Sequence, residues 1–200
     1  MRLLLSFSFM LLSAFCSGQD GGSIYQFMNN GLPGLEVGKS DWGIFHLEAP
    51  FVITNSICQK ILDADWDKAD LKLRDEFYER CAAMNIAQQQ QFRWVQAEFH
   101  KGIIVADTKH KIPLSKAREL PLEASIKNKA SYWIKQWNKS KIEDRLINYS
   151  SIPIFSADKK YVLILRGQDV RSEGGWDTIY IYKKEEKKWT AWKTIRVTEI

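Results

Sequence analysis

The chain has 200 residues, 45% of them hydrophobic and 26% charged, with a formal net charge of +5. That balance is a globular protein's and argues against disorder, and the positive excess is mild; nucleic acid is not expected as a partner of an exported chain. The length beyond the N-terminal leader suits one domain with a substantial core.

Residues 1–18 read as a signal peptide. Arg2 precedes an apolar run from Leu3 to Phe15, which has the length of an export-signal core and falls short of the ~20 residues a spanning helix needs. Cys16 and Gly18 are the small residues a signal peptidase reads, leaving Gln19 first. Lipid attachment at Cys16 is the alternative. Phe15 stands directly before that cysteine, where lipoprotein signals carry a small residue, so release is favoured over anchoring. The expected location is exported, periplasmic or secreted, with a lipid-anchored form through Cys16 as the alternative. Once the signal is removed, Cys58 and Cys81 remain. An even pair in an oxidising compartment can form a disulfide; two small buried thiols are the other reading.

Residues 19–200 are expected to form a single α+β domain, helix-rich over about 53–145 and a β-meander over about 152–197. A short helix is predicted from Ser23 to Met28, then a Gly- and Pro-rich connector, then strand-like composition up to Pro50. From Ser56 to Gln90, apolar residues such as Ile61, Trp66, Phe77 and Cys81 recur at helical spacing. Phe92 to Asp107 turns β-branched and aromatic around Gly102, predicting a hairpin or bent strand. A helix follows over Glu123 to Ser140, with Ile126, Ala130, Trp133 and Trp137 on one core-facing stripe and lysines elsewhere.

The C-terminal quarter predicts strands at Tyr161 to Arg166, Asp177 to Lys184 and Lys187 to Val197, with Ile152 to Phe155 as a fourth. Both faces of the first are apolar, which places it centrally with helices covering at least one side. In the last strand, Trp189, Ala191, Ile195 and Val197 are expected inward and Thr190, Trp192, Thr194 and Arg196 outward. The N-terminal helical part then packs on a C-terminal antiparallel β-meander.

Ser150 to Leu165, the Gly174-Gly175 pair and the run Ile179 to Trp189 together resemble the C-terminal segment of uncharacterised exported proteins of Bacteroidetes-type bacteria. The resemblance covers residues 150–192. It implies an envelope location and a small β-meander, and it carries no activity. The chain departs from that pattern where cysteines usually precede the glycine pair and where an Asn-Gly hairpin is usual.

Several near-motifs lack a part their chemistry needs. Gly34 to Ser40 resembles a phosphate-binding loop but has one residue too few between its glycines. Asp63, Asp65 and Asp67 open like a calcium loop, yet Lys68 and Arg74 stand where the turn glycine and bidentate glutamate belong; acidic residues beginning a helix are the preferred reading. His46 and Glu48 have the spacing of zinc deaminases without the cysteine pair, and His100 and His110 are isolated. No catalytic residue, metal site or cofactor is assigned.

The remaining candidate is the loop containing Glu173, Gly174, Gly175 and Trp176, where two glycines permit close approach and the indole can cover a sugar or peptide. The segment from Lys109 to Arg145 is rich in Lys and Arg, offering peripheral contact with an anionic membrane or polysaccharide. The function expected is a non-enzymatic envelope or secreted binding or scaffolding protein with a protein or glycan partner. An extracytoplasmic hydrolase without a recognisable local motif is the alternative.

Overall fold

The computed structural model describes residues 21–30, 45–99, 103–120, 123–145, 147–170 and 174–199, apart from the side chains of 126, 169, 170, 174–176, 198 and 199. The signal, Cys16 and the glycine-rich connector lie outside these residues. The fold is α+β, with helices packed on both faces of a mixed seven-stranded sheet.

The strands are β1 (Phe45–Leu47), β2 (Ile104–Ala106), β3 (Ile147–Ser150), β4 (Ile154–Phe155), β5 (Tyr161–Val170), β6 (Gly174–Glu185) and β7 (Lys188–Glu199). Their order is β2-β1-β3-β5-β6-β7, with β4 also paired to β5. β5, β6 and β7 form the expected antiparallel meander, with longer strands than composition predicts. β3 and β4 both run antiparallel to β5, as one strand interrupted around Pro153, which has no N–H to donate. Ser151 mends the break: its backbone N–H donates to Leu165 O at 2.9 Å, and its hydroxyl accepts from Leu165 N at 3.0 Å.

β5 is central, as its two apolar faces require. Val162 and Ile164 pack with α1 (Gly21–Asn30) through Ile24, Phe27 and Met28. Leu163 and Leu165 pack on the opposite face with α2 (Asn55–Asp63) and α3 (Leu71–Ala82). Cys58 and Ile61 on α2 meet Phe77 and Cys81 on α3, residues spaced to share one helical face. Burying each of these larger apolar side chains contributes about 1.5–3 kcal/mol. A disulfide joins Cys58 to Cys81, with the Cα atoms 5.7 Å apart. The acidic run is placed differently from expectation: Asp63 ends α2, and Asp67 precedes a 3-10 turn, Lys68–Asp70.

In the segment expected to be a hairpin or bent strand around Gly102, which lies outside the described residues, the described part forms a 3-10 turn, Gln96–Glu98, and the short strand β2. β2 pairs parallel to β1, so its partner lies far away in sequence and composition could not identify it. The outer edge of β2 is occupied by a side chain: Gln96 donates to Ile103 O at 2.7 Å and accepts from Val105 N at 2.8 Å. α4 (Ile86–Gln91) supplies a similar clamp, Gln89, which is buried and bonds both the N–H and C=O of Ile53. α5 (Ser115–Glu119) leads to α6 (Ala124–Lys139), which covers β1 and β2 with Ala130, Ile134 and Trp137. Trp133 is only partly buried; Ile134 takes the core position beside it.

The alternation read for the last strand is corrected by a β-bulge. The register shifts between Ile181 and Tyr182, which face Lys193 and Ala191 respectively. The extra residue reverses which side chains face which side. Trp189 therefore packs with Phe27 on the α1 face, whereas Ile195 and Val197 pack with α2 and α3. Trp192, expected outward, packs near Trp66, their ring centroids 5.9 Å apart, and Ala191 is exposed.

Candidate functional site

Gly174, Gly175 and Trp176 begin β6, where Trp176 pairs with Gln168 on one side and Glu199 on the other. Glu173 lies outside the described residues, as does the Trp176 side chain. His46 and Glu48 do not share a cleft: His46 is buried at 1% exposure, while Glu48 is exposed. His110 sits in the turn after β2, its Nδ1 3.0 Å from Asp107, and His100 is outside the described residues. Among the described residues, no three His, Cys, Asp or Glu converge as a metal site.

His46 has instead a partner that sequence spacing did not indicate. Its Nδ1 is 2.8 Å from Leu47 O and its Nε2 is 2.8 Å from Ser150 Oγ. A carbonyl only accepts, so Nδ1 carries the proton, and Nε2 accepts from the Ser150 hydroxyl. Burial first, and then the charge of Arg166, lower the imidazole pKa to about 4, against the hydrogen bond to Leu47. The ring is neutral at pH 7. Trp94 packs edge-on against it at 5.8 Å, and Ser150 is 1% exposed. The pair has the tautomer of a serine–histidine dyad while both groups are shut from solvent.

An accessible site lies at the end of the sheet where two turns meet. Tyr161 pairs with Lys183, Lys184 N donates to Lys160 O at 2.7 Å, and Glu185 pairs with Lys188. This register gathers Lys159, Lys160, Lys183, Lys184, Lys187 and Lys188 at one end, against Asp158, Glu185 and Glu186. Between the turns and α1 is a cleft of about 360 Å³. Phe27, Phe155 and Trp189 form its apolar part; Lys159, Lys184 and Lys187 supply cations, and Gln26 and Asn30 supply amides. Lys184 Nζ lies 5.7 Å from the Trp189 ring centroid, a cation–π arrangement that keeps an ammonium beside an aromatic surface.

Both turns place a non-glycine residue in the left-handed region, Lys159 at φ 55° and Glu186 at φ 53°. That geometry costs about 1 kcal/mol for such side chains. Asp158 stays well ionised: the Lys160 N–H, then the Ser156 hydroxyl, hold its carboxyl below the ordinary range. It lies 3.8 Å from Lys160 Nζ and offsets part of the local positive charge.

The sequence carried a trace of this site in its paired lysines at 159–160, 183–184 and 187–188. In the sequence the last two pairs read only as the ends of neighbouring strands. Only the strand register and the bulge that redirects Trp189 assemble them. No family model, curated protein or solved structure matches the chain.

Proposed function

We propose that this is an exported, extracytoplasmic, non-enzymatic protein that binds an anionic polysaccharide of the envelope through its lysine-rich cleft. The observation that carries the reading is the juxtaposition of Lys159, Lys184 and Lys187 with the Trp189 indole. An aromatic face stacks on a sugar ring, while mobile ammonium groups pair with carboxylate or phosphate substituents without demanding one geometry. The apolar surface lies within a cleft, where a sugar can enter and a bilayer surface cannot. The disulfide and the signal-like N-terminus support an oxidising compartment, and among the described residues no helix is long and apolar enough to cross a membrane. The resemblance of residues 150–192 to exported envelope proteins points the same way.

Affinity electrophoresis through polygalacturonate tests the reading. The oxidised chain should be retarded, with neutral dextran without effect. Retardation should weaken with salt as counterions compete. Replacing Lys159, Lys184 and Lys187 together by Gln should reduce affinity at least ten-fold, and Trp189→Ala should reduce it with the charge intact. Retention unchanged in both variants would refute the site. The intact mass of the protein from its host tests export: a chain beginning at Gln19 marks release, and an acylated Cys16 marks anchoring.

A second reading, an extracytoplasmic hydrolase, is favoured by the Ser150–His46 hydrogen bond. It would require Ser150 to react with a fluorophosphonate; its burial predicts no labelling of the folded chain.

A further inference from the structure

Independently of the polysaccharide reading, a second cleft sits where α6 meets β1 and the 3-10 turn Ile142–Asp144. Its volume is about 260 Å³. Phe45, Tyr132, Trp133 and Trp137 wall it with aromatic rings, and Arg145 and Asp144 bring charge. The Phe45 and Trp137 rings lie 4.4 Å apart at 33°, a tilted stack that makes one side flat.

Arg145 is in an unusual state for a guanidinium. It is 6% exposed, and no ion pair to it is formed among the described residues. Its Nη1 donates to the carbonyls of Thr108 and His110. Its Nε is buried and has no hydrogen-bond partner among the described residues. The indole N–H of Trp137, a residue 4% exposed, is likewise buried without an acceptor. Arg145 Cζ lies 5.2 Å from the Trp137 ring centroid, so the two unsatisfied donors belong to side chains in contact. A buried cation without a counter-charge is costly, and each orphaned donor adds its own desolvation cost. An anion in the cleft would supply the missing counter-charge to Arg145, which lines it.

We propose that this cleft binds a flat organic carboxylate. The carboxylate pairs with the positive charge of the Arg145 guanidinium at the cleft wall, and its planar body lies against the aromatic side chains that line it. Arg145 rather than lysine suits this task because its fork matches a planar carboxylate and stacks on an indole. Asp144, exposed on the rim, opposes an incoming anion and weakens binding without abolishing it.

The test compares benzoate with its neutral isostere benzamide on the oxidised full chain, following the tryptophan indole N–H resonances by NMR, with Trp137 assigned from Trp137→Phe. Benzoate should shift the Trp137 resonance saturably, and benzamide should bind at least ten-fold more weakly. Asp144→Asn should tighten benzoate binding a few-fold, and Arg145→Lys should weaken it at least ten-fold. If Arg145→Lys fails to fold, Trp133→Ala, at a partly exposed wall, should weaken benzoate binding in its place. Equal affinity for benzoate and benzamide would overturn the assignment, as would the absence of a saturable shift at Trp137 or a response confined to other indoles. Polygalacturonate binding should persist in Trp133→Ala, which separates this site from the lysine-rich one.

Discussion

The two halves of the sheet satisfy their backbone in different ways. In the meander, β5 and β6 pair over ten residue positions in one unbroken ladder. In the N-terminal half, β1 and β2 pair over three, and side-chain amides act as substitute strands: Gln89 for Ile53, Gln96 for Ile103 and Val105, and Asn138 for both backbone groups of Ile112. Strands joined by tight turns meet at little cost in chain entropy, whereas β1 and β2 must be brought together across a long crossover. The N-terminal half adds a disulfide between the helices that form part of that crossover. A long ladder is self-sufficient; a short one depends on individual side chains.

This contrast can be broken first at the disulfide. Reducing Cys58–Cys81, or replacing both cysteines by Ser, should lower stability by about 3 kcal/mol. Hydrogen exchange should rise first in α2 and α3, with β5 and β6 protected longest; uniform loss of protection would erase the distinction between the halves.

Nearly as large an effect is expected at His46, which ties β1 to Ser150 of β3. Its folded-state pKa of about 4 lies below the ordinary 6.5, so the unfolded chain takes up the proton first as pH falls. Its contribution is whole above pH 6.5 and is lost progressively down to about pH 4, a total of about 3 kcal/mol. Urea unfolding at stepped pH should show this slope, and His46→Gln should flatten it; an identical slope in the variant would remove His46 as its source.

Gln89→Leu sharpens the comparison by removing one substitute strand. It leaves the buried N–H and C=O of Ile53 without these bonds and should cost about 2 kcal/mol in urea unfolding. A neutral effect would mean the amide clamps are incidental. The smallest change is expected in the meander, at the β6–β7 turn. Glu186→Gly relieves a positive φ and should stabilise by up to about 1 kcal/mol, read as a raised Tm. Lower stability would show that the glutamate side chain matters more than its backbone strain.

The meander was legible because alternation is local. Tyr161 to Leu165 announced a strand apolar on both faces, and the structure places it between helices on either side. The even cysteine pair at helical positions was likewise visible, although its closure required α2 and α3 to pack. Composition also separated helical from strand-rich regions and limited the architecture to α+β. By contrast, the parallel pairing of β1 and β2, the Ser150–His46 bond and the clustering of lysines with Trp189 join residues whose neighbours in sequence say nothing of one another. Arg145 was legible only as one more cation of the basic segment 109–145; its lack of an ion pair among the described residues exists only once it packs against Trp137 of α6. Sequence by itself determined the periodicities that choose helix or strand, because those depend on residues a few positions apart. Tertiary structure alone decided register, the two register shifts between β6 and β7, and both clefts, because burial and charge neutralisation depend on which distant segments pack together.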